Sequence, residues 1–138
     1  MAMKRITSAE VAEPIPETWS NCKVAGEFIQ IAGMTSGYEG DVINGGDDVY
    51  EQARLTFVKI KHLVEAAGGV MDDIIKVTIF VTDMSHFSEV VKLREEVFSQ
   101  PYPADTICEV RALAYPELMF EIEAIALADG STIDIAHS

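Results

Sequence analysis

"LMFEIEAIALA" (residues 118–128) alternates as a strand does, yet it does not divide into one apolar and one polar side. At a period of two, Leu118, Phe120, Ile122 and Ala124 point one way, and Met119, Glu121, Glu123 and Ile125 the other. The first set is a core face. The second mixes carboxylates with apolar groups, which suits neither a packed core nor a free surface. Such a face is expected at an oligomer interface or in the wall of a pocket.

Upstream, "MDDIIKVTIFVTD" (71–83) predicts a second strand of high β-branched density, with Ile75, Val77, Ile79 and Val81 on one side. Two helices are predicted around it. Val49, Ala53, Phe57, Ile60, Val64 and Ala67 recur at three- and four-residue steps, with Asp47 or Asp48 as cap and Gly68-Gly69 as stop. In "SHFSEVVKLREEVF" (85–98), Ser85 is the expected cap, and Phe87, Val90, Val91, Val97 and Phe98 supply the apolar face, Leu93 being less well placed. Short strands are expected at "KRIT" (4–7), "GEFIQIAGM" (26–34) and "TICEVRAL" (106–113), with loops at "AEPIPETWSN" and "TSGYEGDVINGGDD". The order is strand, strand, helix, strand, helix, strand, strand. Two helices cover one face of such a sheet, so the expected fold is an α+β two-layer sandwich with a mixed sheet.

At 138 residues the chain is read as a single domain, with an N-terminal segment over 1–20 and a tail over 129–138. No apolar run approaches the ~20 residues that span a bilayer. "MAMKRITSAEVAEP" lacks the apolar segment of a signal peptide, and a cytoplasmic location is expected. The net charge of −13 argues against nucleic acid and anionic membranes as partners. Cys22 and Cys108 are read as packed core thiols, Cys108 sharing the parity of Thr106 and Val110. No two of His62, His86 and His137 have metal-ligand spacing, so no metal site is expected. "GYEGDVINGG" lacks a phosphate-loop lysine, and its acids would repel phosphate.

The remaining signal is "PYPADTICEV" (101–110), where two prolines pin the chain and a carboxylate, Asp105, opens the strand. Together with "AAGGVMDDIIKVTIFVTDMSHFSEV" and "LMFEIEAIA", this stretch resembles the RidA-like family of reactive-intermediate deaminases, from about Cys22 to Ala128. The resemblance implies a chorismate-mutase-like fold. It also implies a homotrimer with sheets packed inward and three clefts at the subunit junctions, and hydrolysis of small enamines or imines without metal or organic cofactor. Glu121 stands at the glutamate that positions or activates water, and Gly33 at the glycine of the cleft turn. Trp19 stands at a tyrosine, Val91 at an asparagine and Ile107 at a cysteine. Asp105 stands where the family carries the arginine that grips a substrate carboxylate.

That reversal of charge is the main departure. Losing a charge-assisted carboxylate contact costs ~2–5 kcal/mol in a buried site. Arg111 has the right parity but lies six residues away, ~20 Å along a strand. Lys23, Arg54, Lys92 and Arg94 are the cations that can enter instead across a trimer junction. Glu109 shares the parity of Asp105 and Ile107, so the cleft is expected to be acidic. Three readings of Asp105 stand open. It pairs with Glu121 as general acid and base in a divergent hydrolase. Or the trimer has lost its chemistry and serves as a small-ligand-binding or regulatory protein. Or Asp105 is solvated, or caps a nearby backbone amide.

Overall fold

The computed structural model describes residues 2–131, 133 and 135. Eight strands and two helices follow in the order β1 (Met3–Ile6), β2 (Cys22–Ala25), β3 (Phe28–Met34), β4 (Tyr38–Glu39), β5 (Val42–Ile43), α1 (Val49–Ala66), β6 (Ile74–Val81), α2 (Phe87–Val97), β7 (Ala104–Glu109) and β8 (Phe120–Leu127). Six strands form one sheet in the order β1-β2-β3-β8-β6-β7, and β4 pairs with β5 in a separate hairpin. Only β6 and β7 run parallel, because α2 returns the chain to the same end of the sheet between them. Both helices lie on one face. The result is the mixed-sheet α+β sandwich that the sequence predicts.

The core forms where the alternating faces of the strands meet the helix stripes. Phe120, Ile122, Ala124 and Ala126 of β8 are all buried, as the alternation of 118–128 requires. Val77, Ile79 and Val81 of β6 lie beside them in register and are buried too. From α1, Phe57, Ile60, Leu63 and Val64 close the layer. Each such side chain contributes ~1.5–3 kcal/mol by leaving water, so this layer is the main source of stability. Asp48 caps α1 by accepting from the Glu51 amide at 3.2 Å, and Gly68, at φ +91°, ends it.

Gln52 is a polar member of this otherwise apolar helix face. Its Nε2 donates to the Gly46 carbonyl at 2.7 Å and the Glu117 carbonyl at 3.0 Å, and its Oε1 accepts from the Met119 amide at 2.9 Å. One buried amide thus ties the loop before α1 to the loop before β8. The loop after β3 is held from the same helix. Lys59 Nζ donates to the Thr35 carbonyl at 2.9 Å, and burial lowers the pKa of that ammonium.

Several expectations are corrected. The strand expected at 26–34 is β3, over Phe28–Met34, but it is one arm of a hairpin: Gly26, at φ +62°, turns into it from β2, a strand not expected from the sequence. The loop expected over 35–48 contains the β4–β5 hairpin. A register shift between Ile74 and Lys76 puts Ile74 in the core and leaves Ile75 exposed. Asp83, not Ser85, accepts the capping bond, from the Ser85 amide at 2.9 Å, and a tight turn over Met84–His86 precedes α2. Phe87 is therefore exposed, and Leu93 is fully buried. The strand expected at 106–113 runs instead over Ala104–Glu109, so Arg111 lies beyond it. Of the expected tail, residues 132, 134 and 136–138, including His137, lie outside the described residues.

Candidate active site

Glu121 lies on the sheet face away from the helices, opposite Phe80 in the β6–β8 register. It is half-buried, and its carboxyl rests against Gly33 of β3. A Cβ added at Gly33 would sit 2.8 Å from Glu121 Oε2 and 3.0 Å from its carboxyl carbon. Real Cβ atoms do not approach so closely, so the missing side chain makes the seat. β3 carries a register irregularity between Ile31 and Met34, and that irregularity sets Gly33 beneath the carboxylate. Burial raises the Glu121 pKa, and the neighbouring charge of Glu123 raises it further. A carboxylate tuned upward in this way is a better proton acceptor near neutral pH than an exposed one.

The same face carries Lys76, Thr78, Gln30 and Glu123 around a hollow of about 310 Å³. It is the half-polar surface expected from 118–128. Trp19, in the segment leading to β2, is exposed.

The other expected site residues lie elsewhere. Asp105 pairs in register with Val77, and Ile107 with Ile79, so β7 turns Asp105, Ile107 and Glu109 toward the helix layer. Asp105 and Glu121 are thus on opposite faces of one sheet, and a single chain cannot join them as an acid–base pair. The acidic cleft is also dispersed. Asp105 forms an ion pair with Arg94 of α2. Glu109 Oε1 accepts from the Met84 amide at 2.8 Å and fixes the turn that enters α2. The raised pKa of Glu121 has Glu123 as its electrostatic cause, not Asp105. Cys108 is corrected too: its parity puts it opposite Phe80 on the open face, half-buried, and not in the core. Cys22 is fully buried, and burial pushes its thiol up to about 11.

The expected residues thus fall into two groups. Glu121 lies over Gly33 on the open face. On the helix side of β7, Asp105 pairs with Arg94 of α2, Ile107 follows Asp105 on the same side of its strand, and Val91 stands one turn before Arg94. Arg94 was one of four candidate cations in the sequence; its three-residue spacing from Val91 was the available signal. Among the described residues, no group of three His, Cys, Asp or Glu side chains could hold a metal ion. No helix among them is long and apolar enough to cross a membrane.

A two-layer sandwich with a glutamate seated on a glycine of the neighbouring strand defines a class of small α+β proteins with a pocket on or beside the sheet. The chain belongs within that class to the RidA-like family, whose sequence model, described as endoribonuclease L-PSP, matches residues 11–128. A RutC family protein of Pyrococcus horikoshii is 34% identical over 126 residues, which span 90% of this chain and 98% of that protein. The 2-iminobutanoate/2-iminopropanoate deaminase of Escherichia coli K12 is 40% identical over 83 residues, 58% of this chain and 64% of the deaminase. Among solved structures, a protein of unknown function from Pseudomonas aeruginosa superposes with a TM-score of 0.84 at 32% identity, covering 93% of this chain and 94% of that one. RidA from an Antarctic Psychrobacter gives a TM-score of 0.79 at 29% identity, covering 90% of this chain and 98% of its own.

Proposed function

We propose that this protein is a Rid-type hydrolase of a small enamine or imine, acting in clefts formed between the copies of a homotrimer. The carrying observation is the Glu121 carboxyl seated on Gly33 with its pKa raised by burial. Ionised Glu121 takes a proton from water as the oxygen attacks the carbon of the C=N bond. The proton held by Glu121 passes to nitrogen to give the carbinolamine; its hydroxyl proton then passes to nitrogen as well, the C–N bond breaks, C=O forms and ammonia leaves. The balance is imine plus water giving carbonyl plus ammonia, and no cofactor is required.

The division into two half-sites supports the trimer. Glu121 and Gly33 of one copy would face Val91, Ile107, Arg94 and Asp105 of another, with Trp19 as a wall. The half-polar open face would then be covered by the neighbouring copy. The deaminase names of relatives such as that of Escherichia coli support the imine chemistry. The net charge of −13 speaks against a polyanionic substrate.

The test is a coupled assay. Serine and a dehydratase generate 2-aminoacrylate, and ketoacid release is followed with and without this protein. Faster release, lost in Glu121→Gln, is the expected result. Release unaffected by the protein overturns the hydrolase reading for this substrate class. One observation favours a second reading, a trimeric small-ligand-binding or regulatory protein: Trp19, Val91 and Asp105 all depart from the implied deaminase residues. Saturable ligand binding without turnover would establish it.

A further inference from the structure

We propose that Arg94 is the anion-gripping residue of this site and that Asp105 is its positioning residue, so that the cation sits on α2 and not on β7. The inference rests on the cleft proposed above and names the ligand class for one of its halves: a small monocarboxylate.

The argument starts from the ion pair. The Arg94 side chain is 24% exposed and that of Asp105 13% exposed. Nη1 of Arg94 faces Asp105 Oδ2, and neither Nε nor Nη2 is engaged by another described residue. An arginine has five N–H donors in a planar fork, and a single-point ion pair leaves most of the fork free. Asp105 is poorly served as well. Its Oδ1 is buried with no donor, an arrangement that costs stability and that a purely structural pair would be expected to avoid. The pair therefore holds the guanidinium in place without saturating it.

Its surroundings fit a ligand. β7 is the edge of the sheet, so nothing in the sheet covers its outer side. Ile107, two residues on from Asp105 along the same side of β7, and Val91, one turn before Arg94 on α2, are apolar and half-buried. In a chain with ten Lys and Arg against twenty-three Asp and Glu, a fixed, three-quarters-buried cation with spare donors stands out from the solvated charges. A planar carboxylate meets a guanidinium fork through two parallel N–H···O bonds, which an ammonium or a neutral donor cannot reproduce.

The experiment is a binding comparison between pyruvate and its neutral amide, pyruvamide, followed by NMR line shifts of the full-length protein. The wild type is expected to prefer pyruvate by at least tenfold. Arg94→Gln, and the better-paired double variant Arg94→Gln with Asp105→Asn, are expected to bind both equally. The double variant covers the case in which the single one fails to fold. Asp105→Asn keeps the cation but releases it: in the coupled assay KM rises with kcat little changed, and Asp105→Glu recovers most of the loss. No preference in the wild type, or a preference that survives both glutamine variants, overturns the inference. Glu121→Gln separates it from the hydrolase reading, because that variant loses turnover and keeps the preference for pyruvate. Carboxylate preference without turnover in the wild type leaves Arg94 standing and the hydrolase reading fallen; turnover without preference does the reverse.

Discussion

The carboxyl of Glu121 rests on Gly33 so closely that a single added methyl would meet Oε2 at 2.8 Å. Gly33 has no left-handed backbone, so alanine is conformationally acceptable there and the effect of Gly33→Ala isolates the contact. The fold is expected to survive with a stability change within about 1 kcal/mol, since the displaced group is a side chain on the open face. Ketoacid release is expected to fall by at least tenfold, because the carboxylate is pushed from its seat. Parallel thermal melts and coupled assays check both halves.

Glu121→Gln removes the proposed proton acceptor, and loss of a general base typically costs 10²–10⁴-fold in rate. The wild-type acid limb should lie above the ordinary carboxylate value of about 4.3, since burial and Glu123 raise the pKa and the group must ionise to act. The sign for stability follows from linkage. A raised folded-state pKa favours the protonated folded form, so its stabilising contribution is full below the ordinary value and is lost as pH rises through the raised one. The glutamine variant should therefore gain on the wild type between acid and neutral pH. Urea melts of both proteins from pH 4 to 8 measure the trend.

Asp105→Asn leaves the Arg94 guanidinium three-quarters buried without its counter-charge. Breaking such a pair from one side costs about 3 kcal/mol, much more than an exposed pair is worth. Adding Arg94→Gln should return more than half of that loss, because the double variant has no buried charge left to desolvate. A double-mutant cycle in urea gives the coupling directly.

Gln52→Leu would keep the volume of α1's face and strip its hydrogen bonds. The Met119 amide and the carbonyls of Gly46 and Glu117 would lose their partner together. An unpaired buried backbone group costs about 1–3 kcal/mol, and the variant is expected to lose about 3 kcal/mol in all. Hydrogen exchange should speed up most at the Met119 amide, which identifies the broken contact.

The sequence disclosed those parts of the molecule in which one residue type repeats at one period. The helix stripe of α1 and the split faces of β8 are of this kind, and with them the two-layer fold and the half-polar face that carries Glu121; Glu121 and Gly33 themselves were singled out by the resemblance, and the contact between them by the structure alone. What stayed hidden depended on partners distant in sequence. In β7 the side carrying Asp105 and Glu109 looked like the outward one, but Arg94 and the Met84 amide serve those carboxylates on the helix side. Gln52 reads as a polar interruption until the two loops it ties are seen. The Gly26 turn was obscured because apolar residues flank it on both sides. The bulge at Ile74–Lys76 moves one isoleucine inward and the next outward, which no strict alternation conveys.

The opposite-face placement of Glu121 and Asp105 bears on what a population of mixed subunits would do. In the proposed trimer each cleft takes its Glu121 half from one copy and its Arg94–Asp105 half from the next. Two inactive proteins, Glu121→Gln and Arg94→Gln, would then carry their lesions in different halves. Unfolded together and reassembled at equal amounts, they would regenerate intact clefts at random junctions, about one in four for a ring closed by head-to-tail, heterologous interfaces between copies drawn at random. Activity would appear from two inactive parents, as in complementation between alleles of one gene, and its absence would overturn the shared cleft.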